Sequence, residues 1–165
     1  MYDVKQETTD DWWEVEALLD LCFAPGRTAL SSYRLRDCVD PLAQLCFVMR
    51  DKGAGATLAA AIRFWPVLVG EAPCLLLGPV AVHPTRQGEG LGSYLILLAL
   101  TNAKLLGWKR VLLVGDAPYY CRFGFKKLAA VQMPAPTNPD RILGHELVPK
   151  AWERVAGLVK PALKP

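Results

Sequence analysis

A Gly-Pro pair interrupts an apolar, strand-like run, and this limits the sheet that the chain can form. The run is "PCLLLGPVAVHP", with Gly78 and Pro79 in its middle. Proline has no N–H to give to a neighbouring strand, so a central strand that contains it must bulge or part from a neighbour there. The backbone of the next residues, Val80, Ala81 and Val82, then needs another partner, because buried N–H and C=O groups are rarely left unpaired. We therefore predict an open sheet and an extended ligand with amides of its own.

A glycine-rich segment follows this strand directly. In "RQGEGLGSYLILLAL", Gly88, Gly90 and Gly92 stand at alternate positions before an apolar run that is typical of a helix. Glycine permits positive φ and lets a ligand touch the backbone, and a helix start offers free N–H groups with a partial positive charge. Such a segment favours a phosphate or pyrophosphate.

The two features together predict one ligand that carries both an amide-bearing arm and a pyrophosphate, and coenzyme A has this make-up. A dinucleotide lacks the arm. The glycine spacing also fails the Rossmann pattern, since Ser93 stands where the third glycine belongs, and it lacks the Gly-Lys-Ser/Thr of a P-loop. Taken alone, the glycine spacing would be weak evidence for a ligand site, because glycines are common in turns before a helix.

The patterns along the first half predict a strand, a helix and then three strands in series. The first strand spans residues 2–7, and a helix runs from "TTDD" to about Cys22. A loop with one short helix lies between Pro25 and Pro41. Two antiparallel strands, in "LAQLCFVMRD" and "TLAAAIRFWPVLVG", precede the Gly-Pro strand.

The second half alternates helices and strands. After the long glycine-led helix we predict a fifth strand in "KRVLLVGD" and a short helix in "APYYCRFGF" that ends at Gly124. A sixth strand over Phe125–Val131, a weaker one near Ile142–Val148, a helix over Pro149–Val159 and a frayed "KPALKP" complete the prediction.

Composition predicts one compact domain, residues 1–165. Hydrophobic residues make up 52% and charged residues 21%. The 19 basic and 16 acidic residues are scattered, which argues against a nucleic-acid partner. Five cysteines without a CxxC pair and a polar, acidic start predict reduced thiols in the cytoplasm and no secretion signal. The longest apolar stretch, Leu91–Leu106, is too short and interrupted for a membrane span.

Two motifs resemble the GNAT superfamily of acetyl-CoA-dependent N-acyltransferases. One is Gln87-x-x-Gly90-x-Gly92 after "LGPVAVHP", and the other is "GDAPYYCRFGF" about 25 residues later. The resemblance implies a mixed α/β (α+β) fold, with a mostly antiparallel sheet of six to seven strands, flanked by helices and splayed between strands 4 and 5. It also implies direct transfer of an acetyl group from acetyl-CoA to a primary amine.

The resemblance implies roles for particular residues. Val80, Ala81 and Val82 would pair with the pantetheine arm, and Tyr120, four residues before Gly124, would be the general acid. Tyr119 is the adjacent candidate. The backbone N–H groups that would hold the pyrophosphate belong to Gln87, Gly88, Glu89, Gly90, Leu91, Gly92 and Ser93.

The general base is not assigned. Many family members carry a glutamate on or near the fourth strand, but "CLLLGPVAV" has no carboxylate. Glu71, His83, Asp116 and His145 are candidates, with a turn role expected for His83 and a helix cap for Asp116. A water relay is the expected alternative.

Some questions stay open at this stage. The resemblance implies a small-molecule or protein amine as acceptor. An acidic acceptor is considered because Arg27, Arg34 and Arg36 flank the loop that covers the acceptor in the family the chain resembles. A non-catalytic acyl-CoA-binding module of the same fold is the alternative function, favoured by the missing strand carboxylate. The chain is expected to be a monomer or homodimer without a metal.

Overall fold

One open sheet with helices on both faces forms the protein. The structure, a computed structural model, describes residues 1–23, 26–27 and 31–162. The strands of this part are β1 (Tyr2–Gln6), β2 (Phe47–Asp51), β3 (Thr57–Val69), β4 (Ala72–Val82), β5 (Arg110–Val114), β6 (Lys126–Lys127), β7 (Val131–Gln132), β8 (Ile142–Glu146) and β9 (Gly157–Pro161). The helices are α1 (Trp12–Phe23), α2 (Ser31–Arg34), α3 (Leu91–Leu105) and α4 (Ala117–Tyr120).

The sheet is mixed and mostly antiparallel, as predicted. Its order is β1-β2-β3-β4-β5-β8-β6, with β9 beside the far end of β3 and β7 beside β9. Parallel pairing occurs, within the described ranges, between β4 and β5 and between β7 and β9. The long helix α3 connects β4 to β5, as a parallel pair of strands requires a crossover.

The two faces of the sheet bury different side chains. Successive residues of a strand point to opposite faces. Ile62 of β3 accordingly packs in a cluster with Leu95 and Ile96 of α3, whereas its neighbour Ala61 packs with Leu18 of α1. A third cluster, around Trp65 and its neighbours, fills the space towards the C-terminal strands.

β4 bulges at the Gly-Pro pair. Ile62 of β3 faces Val80, and Phe64 faces Leu77, so two residues of β4 stand opposite Arg63 alone. Gly78 has φ 133°, which favours glycine, and its carbonyl accepts a hydrogen bond of 2.8 Å from the Trp65 indole. The predicted irregularity in the fourth strand is confirmed.

Three predictions for the C-terminal third need correction. The predicted sixth strand, Phe125–Val131, is reduced to the two-residue strands β6 and β7, and the described strands number nine instead of six to seven. The predicted helix over Pro149–Val159 is wrong, because turns occupy this segment and strand β9 begins at Gly157. The tail expected to fray contributes Lys160 and Pro161 to β9, and residues 163–165 lie outside the described residues.

The other elements were predicted to within a few residues. α1 ends at Phe23, and α4 is followed by a 3-10 turn that ends at Gly124, whose φ of 88° is left-handed. The short helix predicted between Pro25 and Pro41 is α2; residues 24, 25 and 28–30 of that loop lie outside the described part.

Candidate active site

The sheet opens between β4 and β5. These strands pair at two positions, Leu75 with Val111 and Leu76 with Leu112. Both strands continue beyond this pairing, but there β4 keeps only β3 as its neighbour in the described sheet. The predicted splay between the fourth and fifth strands is confirmed.

Two residues of β4 direct their backbone polar groups into the opening. The His83 N–H donates to the Ala59 carbonyl at 2.7 Å. Hydrogen-bonded and non-hydrogen-bonded pairs alternate along an antiparallel ladder. Val82 and Val80 therefore turn their N–H and C=O groups away from β3, and Ala81 turns its groups toward it. Of the three residues predicted to pair with an extended arm, two have the orientation for it.

Cys22 at the end of α1 contacts the same opening. Its Sγ lies 3.4 Å from the Val82 carbonyl oxygen, and burial raises the pKa of the thiol. A protonated thiol is a weak donor. The Val82 carbonyl thus already has a hydrogen-bond partner. The N–H of Val82 is the backbone group of this residue that is left for a ligand.

A cleft of about 600 Å³ runs from the opening to the start of α3. It is lined by nine of the ten residues predicted to bind the cofactor, namely Val80, Ala81, Val82, Gln87, Gly88, Gly90, Leu91, Gly92 and Ser93. Two motifs that the sequence suggested separately therefore form one continuous surface.

Glu89 is the predicted residue that does not line this cleft. Its Oε1 accepts a hydrogen bond of 2.8 Å from the Tyr2 hydroxyl of β1. The carboxylate is thereby tied to the edge strand of the sheet.

The start of α3 has the conformation that the glycines were expected to permit. Gly88 (φ 87°) and Gly90 (φ 78°) are both left-handed. Gly90 is the N-cap of α3 and provides no side chain to cap it. The N–H groups of the first turn thus lack a side-chain acceptor, and together with the helix dipole they favour an anion.

Two arginines of the cleft were not predicted as binding residues. Arg86 lines it beside the glycines and forms a 2.6 Å ion pair with Asp51. Arg122 also lines the cleft, and its guanidinium lies 4.5 Å from the centre of the Tyr119 ring. Arg122 lies in the 3-10 turn that directly follows α4. Its closeness in sequence to Tyr119 was the feature from which a place at the cleft could have been predicted.

The adjacent tyrosines of α4 lie in different places. Tyr119 lines the cleft, where its Oη would lie 3.5 Å from a β-carbon on Gly92. Tyr120 lines a second cavity, of about 200 Å³, beside Gly78 and the open edge of β4. Asp116 caps α4 by accepting a hydrogen bond of 3.3 Å from the Tyr119 N–H, as expected.

Burial raises the pKa of Tyr120 to about 12, and the nearby Tyr119 and Asp116 act in the same direction, whereas Arg141 lowers it. The phenol is therefore protonated at neutral pH, which a donor requires.

None of the four candidate bases lines the cleft or the second cavity. His83 Nδ1 lies 2.8 Å from the Thr85 hydroxyl, so it stabilises the turn after β4, as expected. His145 Nδ1 lies 3.2 Å from the Gly124 carbonyl oxygen. Asp116 is the helix cap, and Glu71 stands in the exposed turn after β3.

Two further findings concern the described residues alone. None of their helices is long and apolar enough to cross a membrane. No group of three or more His, Cys, Asp or Glu side chains in the same part of the chain is arranged to hold a metal ion.

A split mixed sheet whose open edge continues into a glycine-led helix start is the arrangement that the sequence predicted for an extended ligand with a pyrophosphate. The chain belongs to the Acetyltransferase (GNAT) family, whose profile matches residues 12–125.

Relatives and solved structures agree with this assignment. Among curated relatives, the Escherichia coli proteins named uncharacterized N-acetyltransferase YjhQ and YhbS are 40% identical over 62 residues and 30% identical over 86 residues. These matches cover 37% and 51% of this chain. The chain spans 34% of YjhQ and 52% of YhbS in them.

The solved structures match over nearly the full chain. That of E. coli YhbS in complex with CoA has a TM-score of 0.83 at 26% identity, covering 97% of this chain and 89% of that one. A GNAT acetyltransferase from Brucella melitensis in complex with acetyl-CoA has a TM-score of 0.71 at 25% identity, covering 97% and 95%.

Proposed function

We propose that the protein is an N-acetyltransferase that moves an acetyl group from acetyl-CoA to a primary amine by direct transfer. The observation that carries this proposal is the continuity of the cleft, from the first turn of α3 to the unpaired edge of β4. The names of the relatives and the CoA-bound and acetyl-CoA-bound neighbours support it. We expect the reaction to take place in the cytoplasm, given the odd number of cysteines without a CxxC pair.

In this proposal the first turn of α3, with Arg86 and Arg122, binds the pyrophosphate. The N–H groups of Val80 and Val82 pair with the amide-bearing arm. The thioester then lies at the open edge of β4, where a backbone N–H stabilises the negative charge that develops on its carbonyl oxygen during amine attack.

Tyr120 is proposed to donate a hydrogen bond to the leaving sulfur. A thiol has a pKa of about 8.5, so complete transfer of a proton from a phenol with a pKa of about 12 costs roughly 5 kcal/mol. Since a thiolate leaves as a stable anion, the hydrogen bond can stabilise it before a proton is transferred. The attacking amine gives its proton to water, as no carboxylate or histidine lines the second cavity in the described part of the chain.

A non-catalytic acyl-CoA-binding module remains the second candidate, and the lack of a base at the cavity favours it. Release of free thiol from acetyl-CoA across a panel of amines separates the two. We expect turnover with at least one amine and a loss of about tenfold or more in Tyr120→Phe. Tight acetyl-CoA binding without turnover of any amine would establish the module instead.

A further inference from the structure

The second cavity is separate from the pyrophosphate cleft but meets it. Its volume is about 200 Å³, equal to roughly seven waters in the liquid. Phe23 and Val80 line both spaces, so the two join at the open edge of β4. A thioester that reaches this edge from the cleft would face the cavity, which is where an acceptor must approach.

Arg36 forms one wall of this cavity. Its guanidinium lies 4.1 Å from the centre of the Tyr33 ring and 5.4 Å from that of Trp65. Its Nη2 would lie 3.5 Å from a β-carbon on Gly78, the residue at which β4 bulges. The cation therefore lies directly beside the gap in the sheet.

The Arg36 guanidinium is buried without hydrogen-bond partners for two of its nitrogens. Nε and Nη1 are inaccessible to solvent, and neither makes a hydrogen bond. Within the described ranges no carboxylate forms an ion pair with Arg36, and none is among the groups that shift its pKa. Burial lowers the pKa of Arg36 to about 10, so the group still carries its charge at pH 7.

The neighbouring arginines differ from Arg36 in this respect. Arg27 contacts Glu16 and Asp20 at 3.2 and 3.0 Å, and Arg63 contacts Glu7 and Glu16 at 2.9 and 2.7 Å. Each of these two buried cations thus has two carboxylates.

The loop that precedes α2 supplies no acidic side chain for Arg36. The loop residues outside the described part are Ala24, Pro25, Thr28, Ala29 and Leu30. A largely buried guanidinium without a counter-charge is unfavourable, and an anion that pairs with its positive charge from the cavity reduces that cost. The missing partner is then expected to come from a ligand.

We propose that this cavity is the acceptor site and that Arg36 binds a carboxylate of the acceptor, which makes the substrate a small amino-carboxylate. The inference rests on the proposed function and specifies its substrate class. A carboxylate could also belong to the acyl group, as in succinyl-CoA, so the experiment contains an arm for each source.

The test pairs amino acids with their carboxamides, which keep the amine and side chain but lose the negative charge. Two quantities are measured: kcat/KM from thiol release, and equilibrium binding of each compound to CoA-saturated protein by calorimetry. For at least one amino acid we expect kcat/KM and binding affinity to be about ten- to a hundredfold higher than for its carboxamide. This is the size of effect that a hydrogen bond to a charged group gives.

Two variants test whether Arg36 causes the preference for an amino acid over its carboxamide. Arg36→Gln should abolish this preference while the affinity for acetyl-CoA stays within about twofold of wild type. Arg34→Gln is the matched control, because Arg34 lies two residues earlier and its exposed side chain donates to the Ala135 carbonyl. Should Arg36→Gln fail to fold, Arg36→Lys keeps the charge on a shorter side chain with different geometry and should reduce the ratio of acid to carboxamide about tenfold.

The outcomes separate this inference from the proposed function. Turnover of amines with equal rates for acids and carboxamides overturns the inference and leaves acetyl transfer intact. If no amine is turned over, the proposed function fails, and Arg36-dependent binding of an amino acid still supports the carboxylate site. If neither compound binds, or if Arg36→Gln alters only the use of succinyl-CoA relative to acetyl-CoA, the acceptor assignment is wrong. A peptide amine that surpasses every amino acid would contradict it as well.

Discussion

The ring of Tyr120 packs so closely over Gly115 that a β-carbon on the glycine would stand 2.6 Å from Tyr120 Cε2. The same β-carbon would stand 2.9 Å from Leu113 Cδ1. Gly115 has no left-handed φ. The close approach of the ring is therefore the reason that glycine is needed here, and it fixes the phenol at the cavity.

We expect Gly115→Ala to displace Tyr120 and reduce kcat by about tenfold, with the affinity for acetyl-CoA unchanged. Overpacking should also lower stability by about 1–3 kcal/mol. Thiol release, calorimetry and thermal melting measure the three effects. Gly53→Ala is the control, since its β-carbon would meet only Asp51 Oδ1 at 3.5 Å. A displaced melting temperature with unchanged kcat would show that the position of Tyr120 does not matter.

The raised pKa of Tyr120 predicts a loss of stability in alkali. The unfolded phenol ionises near pH 10, whereas the folded one keeps its proton until about pH 12, so stability falls as pH rises through this window. Tyr120→Phe removes the titrating group. Between pH 9.5 and 12 its free energy of unfolding should therefore fall by about 2 kcal/mol less than that of wild type. Urea unfolding at the two pH values measures this difference. Parallel losses in both proteins would show that the pKa of Tyr120 is ordinary.

Arg122 should contribute to the affinity for acetyl-CoA. Replacing it by glutamine removes a cation from the cleft, and we expect binding to weaken about tenfold at low salt. The difference should shrink in high salt. Lys52→Gln, an exposed change in the β2–β3 turn, serves as the control for net charge. Equal affinities for both variants would remove Arg122 from the binding site.

The opening in the sheet was predictable because its cause is local. A proline without an N–H interrupts the ladder wherever it occurs in a central strand, and glycines before a helix expose N–H groups whatever surrounds them. Nine of the ten residues predicted to bind the cofactor therefore line the cleft, and Glu89 is the exception. Arg86 and Arg122 line it as well and were not predicted, because their positions depend on the fold around the cleft.

The C-terminal segment was not predictable, because distant partners determine its structure. Pro149–Val159 has apolar residues at helical spacing, yet Lys150 (φ 61°) and Arg154 (φ 64°) are left-handed. The Trp152 N–H donates to Glu146 Oε2 at 3.0 Å, and its indole donates to the His145 carbonyl at 3.1 Å. Contacts with β8 thus replace the helix. The environment of Arg36 was hidden for the same reason, since its aromatic neighbours come from two separate elements.

Amide hydrogen exchange with and without CoA tests the central claim most directly. In the free protein the N–H groups of Val80 and Val82 should exchange fast. The N–H of Ala81 should exchange slowly, because it faces β3. Saturating CoA should slow at least one of the two valines by about tenfold or more and leave Ala81 unchanged. Protection of both valines before CoA is added, or exchange that CoA does not alter, would contradict the claim that the ligand occupies the open edge of β4.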